Sequence, residues 1–153
     1  MQVNSTMKIS VDKEYDGKYY VACCTNVPGC YVQSESSGSL NNDLQYALEV
    51  YLKNCVQRNQ PFPNEQDRPV IDVRIRFEVL SSAQLIKIMK RYNYHVDYQD
   101  PTSVLLLNSE FPFNRIHIPN TEDISPLIIR RIFGRENTLV VGKPYLQLKT
   151  SAS

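Results

Sequence analysis

Between residues 71 and 79, Ile71, Val73, Ile75, Phe77 and Val79 alternate with Asp72, Arg74, Arg76 and Glu78. Only a strand with one buried face satisfies a period of two. Upstream, residues 7–12 and 19–25 are rich in Val, Ile and Tyr, and Asp16-Gly17 between them favours a tight turn, so a hairpin is expected. Pro28-Gly29 sets a second turn, after which residues 30–35 extend again. Leu40, Leu44, Leu48, Tyr51, Leu52 and Cys55 then recur at helical spacing, with Ser39 as N-cap and Asp43 in the first turn. That helix is expected to run about four turns and to stop before Gln60-Pro-Phe-Pro63. The strand 71–79 would then close the sheet, giving a β-β-β-α-β unit with one helix on one face.

Downstream the pattern changes. Ser81-Ser-Ala-Gln84 fits a capping box, followed by an apolar face of Leu85, Ile86, Met89 and Tyr92 with Lys87, Lys90 and Arg91 opposite. Residues 94–98 are short and extended, Asp100-Pro-Thr-Ser103 is a turn, residues 104–107 form a buried strand, and residues 114–118 alternate before Pro119. Ser125 and Pro126 announce a second helix, and Gly134 would cap its end. The second unit therefore reads α-β-β-β-α, the order of a double-stranded RNA-binding fold. The fold class expected is α+β in two small domains, residues 1–80 and 81–138, with an extension at 139–153. Within that extension, Leu139 to Leu148 has strand propensity around Gly142-Lys-Pro144 and could join its own sheet or that of a neighbouring subunit.

Composition adds little that is specific. The 153 residues are 42% hydrophobic and 22% charged, an ordinary globular balance with net charge +1. Residues 1–80 hold eight basic against ten acidic side chains and residues 81–153 nine against six, so the halves carry −2 and +3. Such complementarity mildly favours mutual docking, and a tether would raise the effective concentration of the contact. Cys23, Cys24, Cys30 and Cys55 lack the spacing of a zinc ribbon and read as buried or free thiols of a reducing cytoplasm. No run approaches a membrane span, no metal or cofactor site is legible, and a cytoplasmic protein without membrane partners is expected.

The stretch Tyr19-Tyr-Val-Ala, the turn Val27-Pro-Gly-Cys-Tyr31, Gly38 ahead of a helix beginning Leu40-Asn-Asn-Asp-Leu44, the Gln60-Pro-Phe-Pro63 exit and the strand that follows resemble the HicB antitoxin family over about half the chain. That helix departs from the family's usual Glu-Glu-Ala start. The resemblance implies a partial ribonuclease H-like fold without a nuclease's acidic metal cluster, used to bind a toxin and to self-associate. Asp12, Asp16 and Asp43 are correspondingly dispersed rather than convergent. Ser82-Ala-Gln-Leu-Ile-Lys-Ile-Met89, Tyr94, Ile116-His-Ile-Pro119 and Pro126-Leu-Ile-Ile-Arg-Arg-Ile132 resemble the HicA toxin family of mRNA interferases. The family's Gly-Ser-His motif aligns with Thr102-Ser103-Val104. The serine is kept, and valine stands where the resemblance places the catalytic imidazole.

Valine moves no proton, so the expectation is a non-catalytic protein derived from a toxin–antitoxin pair. Its second unit would contact the backbone of structured RNA through Lys87, Lys90, Arg91, Ser103, Arg130 and Arg131. The alternative use of those cations is as the solvated faces of two amphipathic helices. Tyr19, Tyr20, Tyr92, Tyr94 and Tyr98 could stack on bases, although tyrosines at such positions are more often core. Two other readings stay open. One is an interaction module in which the halves pack on each other or across a dimer or higher homo-oligomer, as an antitoxin grips a toxin partner. The other is a ribonuclease that retains activity through His117, although alternation with Ile116 and Ile118 places that side chain on a solvent-facing side of its strand. His95 opens a strand and carries no functional argument. DNA binding is disfavoured because the module that often follows the antitoxin fold is replaced by the second unit.

Overall fold

The computed structural model describes residues 9–62, 75–77, 80–133 and 138–140, the two short segments 75–77 and 138–140 by backbone alone. Strands β1 (Val11–Tyr15), β2 (Tyr20–Cys24) and β3 (Tyr31–Ser34) form one antiparallel sheet, and α1 (Ser37–Gln57) follows. Then come β4 (Ile75–Phe77), α2 (Ser82–Lys90), the antiparallel strands β5 (Tyr94–Gln99), β6 (Ser103–Asn108) and β7 (Arg115–Pro119), α3 (Pro126–Phe133) and β8 (Thr138–Val140). The fold is α+β, and the described residues form two three-stranded antiparallel sheets, a two-stranded parallel pair and three helices.

Local chemistry accounts for the element ends. Asp16 Oδ1 accepts the amides of Lys18 and Tyr19 at 2.7 and 2.6 Å, and Gly17 takes φ 99°, closing the β1–β2 turn as an Asx motif. Ser81 and Gln84 make both bonds of the capping box, and Ser125 Oγ accepts the Leu127 amide at the head of α3. Helix α1 differs from the expectation. It is capped by Ser36, whose side chain accepts the Gly38 amide, and its 21 residues make nearly six turns rather than four. Counting only apolar positions misses a first turn whose polar side chains need no core. Ser39, expected at the cap, instead lies inside the helix and bonds Ser34 Oγ. Gly134 lies outside the described residues.

The expected closing strand is corrected too. Of residues 71–79, Ile75–Phe77 is described as strand, and it pairs in parallel with β8, not with the first sheet. Alternation specifies that a strand has two faces but not which edge it joins. Of the extension, Leu139 and Val140 belong to β8 and pair with β4 of the same chain, while the remainder of the strand expected over 139–148 lies outside the described residues.

The two sheets meet edge to edge. Cys30 and His117 form a parallel bridge between the start of β3 and β7, and the His117 amide donates to the Gly29 carbonyl at 2.7 Å. Helices then divide between the faces. Leu40, Leu44, Ala47, Tyr51 and Cys55 of α1 pack with Ala22, Cys24 and Val32 and also with Leu105 of β6. On the other face, Leu85 and Met89 of α2 and Ile128, Ile129, Ile132 and Phe133 of α3 pack with Val104, Leu106, Ile116 and Ile118, and also with Val21 of β2. Successive residues of β6 therefore enter opposite cores. Each core takes a side chain from the other sheet.

Candidate functional site

Strand β7 shows what the face opposite α2 and α3 holds. Ile116 and Ile118 point into the α2/α3 core, which turns Arg115 and His117 the other way. That direction is not solvent: Arg115 is 3% and His117 2% exposed, because α1 and β3 of the first unit cover them. This corrects the solvent-facing placement of His117. A sheet face looks half-exposed in the sequence whenever the element that covers it is polar where the two meet.

Arg115 donates through Nε to Asn54 Oδ1 at 2.7 Å, through Nη1 to the Phe113 carbonyl at 3.1 Å, and through Nη2 to Gln60. Asn54 in turn donates to Asp97 Oδ2 at 2.8 Å, and Arg58 holds both oxygens of the same carboxylate. Tyr46, also on α1, donates to Asp100, which accepts Tyr98 Oη at 2.8 Å. Helix α1 thus reaches across the second sheet through Tyr46, Asn54 and Arg58. Burial pushes the Asp100 carboxyl up, but hydrogen bonds from Tyr46, the Thr102 amide and Tyr98 outweigh it and hold the group well below the usual carboxylate range.

His117 makes three bonds. Besides its amide bond to Gly29, its Nδ1 lies 3.0 Å from the Tyr31 carbonyl and its Nε2 2.9 Å from Ser103 Oγ. A carbonyl can only accept, so Nδ1 carries the proton and Nε2 presents a lone pair to which the Ser103 hydroxyl donates. Burial pulls the imidazole below its ordinary value, opposed by the bond to Tyr31 and the field of Asp100. The neutral ring is the form this setting favours.

Ser103 and His117 line a cleft of about 560 Å³ where the two units meet. Its other walls include Tyr19 just ahead of β2, Ser34 of β3, Asp43 and Tyr46 from α1, and Thr102 and Asn120 from the second unit. Glu35 and Asp43 are its acidic residues, and no lysine or arginine is among the described residues lining it.

The predicted RNA-contacting residues do not converge. Lys87, Lys90 and Arg91 are exposed on and just beyond α2, whereas Ser103 faces the cleft on the opposite side of its sheet. Arg130 is half-buried. Arg131 turns toward β1, donating to Glu14 Oε1 at 2.6 Å and lying 3.7 Å from Asp12. Val104, at the position of the expected catalytic imidazole, is fully buried in the α2/α3 core. His95 is exposed, 3.7 Å from Asp97. Tyr94 is buried, while Tyr98 sits at the contact with α1. All four cysteines are buried. Sequence reasoning named Ser103 and His117 separately but not as a pair. The signal that joins them is the β6–β7 register, in which Ser103 pairs with Pro119 and Leu105 with His117, so that Ser103 and His117 are diagonal neighbours on one face, a matter of pairing that single positions do not carry.

Among the described residues no group of three His, Cys, Asp or Glu side chains is placed to hold a metal ion, and no helix is long and apolar enough to cross a membrane. No family model matches the chain, and no solved structure matches it. A UPF0150 protein of Synechocystis sp. is 30% identical over 57 residues, which span 37% of this chain and 71% of that protein. By that similarity the chain belongs to the UPF0150 family.

Proposed function

We propose that this is a toxin–antitoxin-related regulatory protein in which the antitoxin-like first unit holds the toxin-like second unit in cis. The similarity to a UPF0150 protein supports the toxin–antitoxin theme. The HicA-like reading of the second unit rests on the residue resemblance and on its α-β-β-β-α order. The observation that carries the proposal is the covered face of β5–β6–β7. Arg115 and His117, which an isolated second unit would show to solvent, are under 4% exposed and bonded to Asn54, Gln60, Gly29 and Tyr31 of the first. Removing that cover would expose the apolar contacts that Val21 and Leu105 make across the seam and open an edge of backbone on β7, so the two units are worth more together than apart. RNA cleavage at His117 fits poorly, because the cleft offers Glu35 and Asp43 but no described cation to meet a phosphodiester's growing charge.

The test is the full-length chain carrying a protease site inserted within residues 63–74, cut and then passed through a sizing column. The two pieces are expected to elute together. Elution as two separate species contradicts cis retention.

A second reading has its own observation. Lys87, Lys90 and Arg91 remain exposed and close in sequence, so α2 offers a small cationic face to an RNA backbone. Arg131 does not add to it, being turned to Glu14.

A further inference from the structure

We propose that Ser103 and His117 form a nucleophile–base pair that makes Ser103 an acylation site for neutral or cationic esters entering the cleft between the units. The proton of Ser103 Oγ is already directed at His117 Nε2 at 2.9 Å, and the Tyr31 carbonyl fixes the tautomer that leaves Nε2 free to receive it. Those are the two relationships an activated hydroxyl needs, with a backbone carbonyl in the orienting position. Burial keeps the imidazole neutral, so the Nε2 lone pair is free to take the hydroxyl proton at neutral pH.

The cleft sets the substrate class. With Glu35 and Asp43 on its walls and no lysine or arginine among the described lining residues, it repels phosphates and carboxylates and admits neutral or positively charged acyl donors. In the reaction the Ser103 Oγ–carbonyl carbon bond forms as the bond from that carbon to the leaving oxygen breaks. His117 Nε2 takes the hydroxyl proton and passes it to the departing oxygen, leaving acyl-serine and an alcohol.

The same structure limits the rate. The amides of Thr102 and Ser103, the backbone donors nearest the nucleophile, are both committed to Asp100 Oδ1 at 2.8 Å, and Asn120 Nδ2 to the Asp100 carbonyl at 2.8 Å. With these donors engaged elsewhere the developing oxyanion lacks preorganised partners. One acylation per chain with slow release is expected, not rapid turnover.

The experiment exposes the full chain to p-nitrophenyl acetate, follows nitrophenolate release, and locates acetyl groups by mass spectrometry of peptides. A burst approaching one equivalent is expected, with the acetyl group on Ser103. Its rate should rise with pH through a value below the ordinary imidazole range and then level off. Ser103→Ala should slow it by about a hundredfold, the scale of a lost general-base-assisted attack, while its melting transition confirms folding. Acetylation confined to lysines, an undiminished burst in Ser103→Ala, or a rate that climbs with pH without a plateau overturns the proposal.

Discussion

The carbonyl of Gly29 accepts the amide of His117 at 2.7 Å, and a Cβ built on Gly29 would stand 2.1 Å from the carbonyl oxygen of Arg115. The turn ahead of β3 and the body of β7 therefore touch backbone to backbone. Gly29 also has φ 90°, where side chains are strained. Gly29→Ala combines that strain with a clash against main chain and should destabilise the protein by about 3 kcal/mol. Gly17 has φ 99° but nothing within 4 Å of a built Cβ, so Gly17→Ala should cost only about 1 kcal/mol. Urea denaturation of both variants checks the difference. Equal costs would mean that the seam yields without resistance.

Arg115 tests how much the polar part of the seam contributes. Arg115→Met keeps a chain of similar length but leaves Asn54 Oδ1 and the Phe113 carbonyl without their donor in a buried setting, a loss of about 2 kcal/mol. Arg58 binds Asp97 from a half-exposed position where solvent screens the pair, and Arg58→Met should cost clearly less than Arg115→Met. Comparable losses in the two variants, read from denaturation midpoints, would count against the ranking by burial.

His117 gives the stability a direction in pH. Burial lowers its value in the folded protein, so between its unfolded and folded values the unfolded chain binds a proton that the folded chain refuses. The stability contributed is complete above the unfolded imidazole value, about 6.5, and is lost as pH falls below it. Denaturation should show lower stability at pH 5.5 than at pH 7.5, and the difference should shrink in His117→Gln. Greater stability at pH 5.5 than at pH 7.5 would contradict the assignment.

Any affinity for RNA is expected to run through α2. If a short RNA duplex binds, replacing Lys87, Lys90 and Arg91 together by Glu should remove the salt dependence, whereas Arg130→Glu should change it little. A salt slope carried by Arg130 instead would place the contact on α3.

What the sequence makes legible is local. Ser81 and Gln84 announce α2, Asp16-Gly17 and Pro28-Gly29 announce their turns, and Ser125-Pro126 opens α3, because each acts within four residues of itself. The misplacements share a cause in long-range pairing. Residues 75–77 alternate as a strand must, yet their partner lies at 138–140, and nothing in either segment names the other. His117 alternates as a half-exposed strand residue must, yet the face it occupies is closed by a helix that begins eighty residues earlier. Polar residues at such a covered face satisfy one another, as Asn54 and Arg115 do, so they carry no mark that separates them from surface residues.

The central claim is that the two units form one cooperative structure, each core completed by the other's side chains, Val21 in one and Leu105 in the other. Hydrogen exchange of the full chain in increasing denaturant, resolved on peptides covering β2 and β6, tests this most directly. The account predicts that the slowest amides of both strands merge into a single opening with the free energy of global unfolding. If β2 exchanges through its own lower-energy opening while β6 stays protected, the first unit is an appendage and not a grip.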